Sequence, residues 1–279
     1  MKKILMIAIL FAILFGGYYI FNGYNGGQAA STLDEIPEFA GQPYTEINGG
    51  KAAFGADQVT SESFEEYGEL DKLGRCTGAL TCLSEDTMPA DGEVREDISQ
   101  VHPSGWVSGQ GWERCHLVGW QLGAENANER NLITGTHYLN VTGMLPFENQ
   151  VAEYIRETGN HVMYQVTPIY DGDNLVASGL VMMAYSVEDK GEGVNYNVYC
   201  FNAAPGLEID YASGIALSGE DKSRQDDVRH FVLNTSSMKF HYPSCDSVKD
   251  MAEHNKKHVK DSRANLIRKG YQPCGNCEP

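Results

Sequence analysis

Positive charge is scarce in this chain: 21 Lys and Arg stand against 38 Asp and Glu, a formal net charge of −17 over 279 residues. Affinity for a polyanion such as duplex DNA rests mainly on neutralising phosphates with Lys and Arg. So small a supply argues against tight, extended binding of that kind and leaves room for contact with a few phosphates. The plainer reading of the acidity is that it keeps an exported protein soluble. The shortage is uneven: residues 222–279 hold 11 Lys/Arg and 7 Asp/Glu, a balance of +4, which leaves −21 for residues 1–221. Long apolar runs are also few. The prominent one is residues 4–21, behind Lys2-Lys3. Its length is just enough to cross a bilayer as a helix and long for a signal-peptide core. Basic residues ahead of such a run favour a cytoplasmic N-terminus. The rest of the chain is then expected outside, held by an uncleaved anchor or secreted after cleavage near Gln28-Ala29-Ala30-Ser31.

The length suits one sizeable core plus a small module. The expected division is 1–30 for the anchor or signal segment and its Gly/Asn/Ser-rich tether, 31–221 for the main domain, and 228–279 for the module. The polar run 218–227 marks the boundary. Within the main domain, residues 161–170, 175–187 and 194–202 are β-rich runs separated by turn residues, which predicts antiparallel strands. The clearest helix runs from Leu145-Pro146 to about Thr158, with Pro in the first turn and Gly159-Asn160 ending it. Phe147, Val151, Tyr154 and Ile155 fall on one face of it. Cys76 and Cys82 are candidates for a local disulfide outside the cytoplasm or for small buried residues. Cys115 and Cys200 could likewise pair if adjacent strands carry them.

The chemistry concentrates in residues 113–148. An arginine and a histidine, Arg114 and His116, precede two asparagines, Asn131 and Asn140, and a glutamate, Glu148. Neutral imidazole takes a proton from water near pH 7, while amide and carboxylate oxygens suit a hard divalent cation. That is equipment for hydrolysing a phosphodiester.

Glu113-Arg114-Cys115-His116, then Asn131-Leu132-Ile133-Thr134, Asn140 and Phe147-Glu148-Asn149, resembles the DNA/RNA non-specific endonucleases with a ββα-metal core, of the DNA-entry nuclease type. The likeness spans about residues 73–214. The family motif reads Asp-Arg-Gly-His, so Glu113 and Cys115 depart from it while Arg114 and His116 stand. The resemblance implies an α+β fold, with a ββα-metal nuclease core on an antiparallel sheet. It implies His116 as general base, Asn140 as the direct Mg²⁺ ligand, and Asn131 and Glu148 as supporting residues. Arg114 would clamp the phosphate or brace the motif through an ion pair, and His137 would be a neighbour of Asn140. Residues 207–214 would supply the closing strand and turn. The substrate implied is DNA, and RNA with it. The rival class is a non-catalytic surface protein that only grips or takes up DNA.

The tail has its own signature. His241 and Cys245, a 28-residue gap, then Cys274-Gly275-Asn276-Cys277 offer one imidazole and three thiolates, a set that suits tetrahedral Zn²⁺. A disulfide between two of these cysteines is the competing reading. The pattern resembles the small Ada-like metal-binding modules, with a helix expected over 262–269.

Overall fold

A computed structural model of the chain describes residues 33–218, 228–277 and 279. The N-terminal apolar run and most of the polar run 218–227 lie outside the described residues. Among the described residues no helix is long and apolar enough to cross a membrane.

Among the described residues up to 218 there are ten strands and two α-helices. They are β1 (Tyr44–Glu46), β2 (Phe64–Tyr67), β3 (Ala79–Leu83), β4 (Glu113–His116), α1 (Trp120–Gly123), β5 (Leu132–Gly135), α2 (Leu145–Thr158), β6 (Val162–Ile169), β7 (Gly179–Ser186), β8 (Asn195–Phe201), β9 (Leu207–Asp210) and β10 (Ile215–Ser218). Six of them form one sheet in the order β1-β8-β7-β6-β3-β2, antiparallel throughout. The three β-rich runs are its central strands. β8 is buried on both faces beyond Asn195, which suits the apolar run 198–201 that ends it. Tyr196, Val198 and Cys200 join the main core, and Tyr199 and Phe201 pack with Ile47 and Phe39 on the other side.

The helix α2 has Pro146 in its first turn, where no backbone N–H partner is needed, and stops at Gly159 in a left-handed conformation with φ 70°. Phe147, Val151 and Ile155 are fully buried, whereas Tyr154 is half-buried and donates to Asp189. Phe147 lies 4.9 Å from both Tyr44 and Tyr196, ring centre to ring centre. Each such buried side chain contributes roughly 1.5–3 kcal/mol, so this face anchors the helix to the sheet.

β4 and β5 pair antiparallel, with His116 opposite Leu132, and a π-helical turn over Tyr138–Met144 leads from them into α2. Asn202 ties this ββα unit to the sheet. Its Nδ2 donates to the carbonyls of Thr134 and Ala177, and its Oδ1 accepts from the Thr136 N–H.

One expectation needs correction and one open choice is decided. Residues 207–214 do not close the large sheet; β9 pairs only with β10, as a separate hairpin. Of the two readings open for Cys76 and Cys82, small buried residues is the one borne out, and Cys115 and Cys200 are likewise free and buried. Cys76 points to the carbonyls of Glu129 and Leu132, and Cys82 to that of Thr60. Cys115 sits in the β4–β5 pair and Cys200 in the large sheet, beside Met182.

Beyond the polar run, β11 (Arg229–Asn234), β12 (Lys239–His241), β13 (Lys256–Asp261) and β14 (Gln272–Pro273) form a second sheet in the order β13-β11-β12-β14. Two short helices accompany it, α3 (Asp246–Lys249) and α4 (Arg263–Arg268), the latter capped by the Ser262 hydroxyl. Phe231, Leu233, Phe240, Leu266 and Ile267 make its core. Ile215 of the β9–β10 hairpin belongs to the same cluster, and Val107 and Leu217 pack against it.

Candidate active site

The strand β4 alternates, which sets Arg114 and His116 on one face and Glu113 and Cys115 on the other. Cys115 fits where the family motif has glycine because Gly135 yields the room: a Cβ on Gly135 would lie 2.3 Å from the Cys115 sulfur. Burial pushes that thiol well above its ordinary range, so it is no nucleophile at neutral pH. Arg114 is fully engaged. Its guanidinium donates to the Ser99 and Val101 carbonyls and lies 4.0 Å from the centre of the Trp106 ring. It therefore braces the 99–106 loop against the motif strand, through carbonyls and an aromatic face rather than an ion pair.

His116 Nε2–H donates to the Asn126 carbonyl at 3.1 Å. A carbonyl only accepts, so this bond fixes the tautomer and leaves Nδ1 as the basic nitrogen. Burial lowers the imidazole's pKa; the bond to Asn126 opposes this and the charge of Arg95 adds to it. His116 is thus held neutral at pH 7, as a proton acceptor must be.

Asn131 uses both ends of its amide on Val118, accepting from its N–H at 2.9 Å and donating to its carbonyl at 3.1 Å. It is fully buried and fixes the chain two residues beyond His116. Asn140 lies on the π-helical turn, and its Nδ2 donates to Glu113 Oε2 at 2.8 Å. The other Glu113 oxygen accepts from His137 Nδ1 at 2.6 Å. Glu148, in the first turn of α2, is only 8% exposed. Burial raises its pKa to about 7, with Arg95 pulling the other way. The sequence-predicted residues therefore divide. Asn140 is drawn to Glu113 and His137, while Arg114 and Asn131 are committed to backbone groups.

The architecture is shared with known nucleases. Residues 56–188 match the DNA/RNA non-specific endonuclease family. A deoxyribonuclease of Streptococcus dysgalactiae subsp. equisimilis is 31% identical over 118 residues, covering 40% of this chain and 35% of its own length. The chain thus spans about a third of that curated relative. NucA from Streptococcus agalactiae, solved with a magnesium ion, superposes with a TM-score of 0.55 at 22% identity, over 63% of this chain and 87% of its own. The Sda1 nuclease, solved with a zinc ion, gives 0.56 at 24% identity, over 64% and 98%. At these identities the two structures speak for the fold. The family match and the deoxyribonuclease relative support a metal-dependent nuclease.

Two residues of this core escape a reading of the sequence. Arg95 acts electrostatically on both His116 and Glu148 and lies 5.4 Å from the Trp120 ring centre. Its signal was a single cation inside the acidic run Glu93-Val94-Arg95-Glu96-Asp97. Gly119 leaves space for Glu148: a Cβ there would meet Oε2 at 2.7 Å. Nothing in the spacing of Leu117-Val118-Gly119 reveals this, because the contact is made across 29 residues.

The four ligand atoms of His241, Cys245, Cys274 and Cys277 all lie within 4.8 Å of one another, outside the endonuclease match. His241 Nδ1 is buried with no hydrogen-bond partner. A buried polar atom left so is costly unless something else satisfies it, and a metal ion would. Burial raises the Cys274 thiol, but the Asn276 and Cys277 N–H groups and neighbouring thiols outweigh it and hold the pKa below the ordinary value. That favours a thiolate at Cys274, whereas burial and the neighbouring thiols push Cys277 up to about 12; it is the convergence of the four ligand atoms that makes this a group that could hold a metal.

Proposed function

We propose that the chain is a Mg²⁺-dependent, sugar-non-specific endonuclease that hydrolyses phosphodiester bonds of DNA and RNA outside the cytoplasm. The observation that carries the reading is His116: neutral, with Nε2–H held by Asn126, it has Nδ1 free to take a proton from water. Asn140 fits a hard cation, because Glu113 occupies its Nδ2 and leaves Oδ1 as the donor. A bound Mg²⁺ would supply Lewis-acid stabilisation of charge on the leaving 3′ oxygen.

The chain's own residues do the rest. Water aligned by Nδ1 attacks phosphorus and gives its proton to His116, which general-base catalysis makes worth ~10²–10⁴-fold. Arg95, the cation shared by His116 and Glu148, faces the phosphate charge. Glu148 orients water beside Asn140 once its proton is lost. Arg114 and Asn131 hold the strand and the segment after it, so the imidazole keeps its direction.

His241, Cys245, Cys274 and Cys277 suit Zn²⁺ in a closed structural site, since four protein ligands leave no position for substrate. The division into 31–221 and 228–279 follows from this, with a shared apolar contact at Ile215. The basic and apolar N-terminus supports export, with the run 4–21 retained as an anchor or removed.

Plasmid nicking with and without EDTA tests the reading. Cleavage that EDTA stops and Mg²⁺ restores is expected. A folded protein that binds plasmid and never nicks it would instead be the DNA-gripping surface protein.

A further inference from the structure

We infer that Glu113 is a positioning residue: it grips the Asn140 amide by its nitrogen and so turns Oδ1 toward the metal. The inference rests on the nuclease reading of Asn140. Its basis is a three-residue chain, in which one carboxylate accepts from Asn140 Nδ2 at 2.8 Å and from His137 Nδ1 at 2.6 Å.

An amide has two chemically opposite ends and can flip between them. Only the oxygen end can ligate a cation, so the flipped rotamer is unproductive. Nothing in the π-helical turn itself selects one rotamer. Glu113 does, because an ionised carboxylate accepts only: it bonds the NH₂ end and repels the oxygen end. His137 holds the carboxylate from its other oxygen, which fixes its direction. The register explains the reach. Glu113 stands opposite Gly135 at the start of β4, and the chain from Gly135 passes directly through His137 into the turn that carries Asn140. Outer partners that orient a metal ligand in this way typically change metal affinity 10–100-fold when removed.

The competing role for Glu113 is that of a direct ligand. The two roles separate in a double-mutant cycle on the full-length protein with its His/Cys group loaded with Zn²⁺, titrated with Mn²⁺ by calorimetry. Glu113→Ala should weaken Mn²⁺ binding roughly tenfold or more, and Glu113→Gln, which keeps a carbonyl oxygen for Asn140, should recover part of the loss. In an Asn140→Asp background there is no amide to orient and the two carboxylates repel. There Glu113→Ala should cost far less Mn²⁺ affinity than it does beside Asn140, with Glu113→Gln behaving the same. Loss by an equal factor in both backgrounds would overturn the positioning role. An unchanged affinity in Glu113→Ala, with Asn140→Ala weakened, would overturn it alone and leave the nuclease reading standing. If Asn140→Ala also binds Mn²⁺ as wild type does, both fall. Melting curves of the metal-free variants check that each is folded.

Discussion

Among the described residues, two places are here proposed to take a metal, and they are built in opposite ways. In the first, on the proposed reading, one amide oxygen, that of Asn140, is offered by a turn while Glu113 holds the amide nitrogen. Near the C-terminus four ligand atoms from two chain segments converge within 4.8 Å. The first is hard and open, with most positions left for water and phosphate; the second is soft and closed. Openness is what chemistry on a substrate needs, and closure is what a small sheet with a modest apolar core needs. The two sites should therefore respond differently to the same perturbation.

The largest effect is expected from the closed site. Structural Zn²⁺ in small modules contributes apparent binding free energies of ~10–16 kcal/mol, which become folding free energy. Changing Cys274 and Cys277 together to Ser should release about one Zn²⁺ per chain and unfold the C-terminal sheet, while plasmid nicking persists. A chain truncated near Asp221 should also nick. It should nevertheless melt lower than the full protein, because Ile215 loses the Phe231 and Leu233 cluster it shares and Val107 and Leu217 are uncovered. Elemental analysis that finds no zinc in protein purified without chelator would remove the closed site from the comparison, and a folded but inactive truncated core would join what is here divided.

His116→Ala does the reverse. It should lower cleavage of DNA and RNA by ~10²–10⁴-fold without altering zinc content or unfolding either part. Wild-type cleavage by the folded variant would place the base elsewhere.

How far the sequence alone reaches also differs between the two regions. The C-terminal ligands were legible as spacing, since pairs such as Cys274 and Cys277 lie within one turn of chain. The helix α2 and the central strands were legible too, from Pro146, Gly159 and the turn residues between β-rich runs. The hairpin β9–β10 was not, because its apolar residues suit any sheet and only packing decides which. Arg114 and Asn131 could be found by motif, but what they touch could not: the Ser99 and Val101 carbonyls and Val118 are backbone groups, which any sequence supplies. Arg95 and Gly119 matter through contacts made in space, and those leave almost no trace in local pattern.

The smallest effect sharpens the contrast from the side of stability. The core site keeps a buried carboxyl, Glu148, whose pKa stands at about 7 when folded against 4.5 as an ordinary value. The folded state therefore holds this proton more tightly than the unfolded one. Its stabilising contribution is complete below pH 4.5 and is lost as pH rises to about 7, at ~1.4 kcal/mol per unit. Glu148→Gln cannot ionise and escapes that loss. In metal-free protein the variant should match wild type near pH 4.5 and exceed it by roughly 3 kcal/mol at pH 8, as read from denaturant unfolding. Nicking should fall in the same variant, as the role proposed for the carboxylate in orienting water requires. An equal gain in stability at both pH values would mean that packing alone, and not the buried charge, separates Gln from Glu here. A gain confined to high pH, in a variant that cuts poorly, would show that the open site keeps its carboxylate at a cost to the fold.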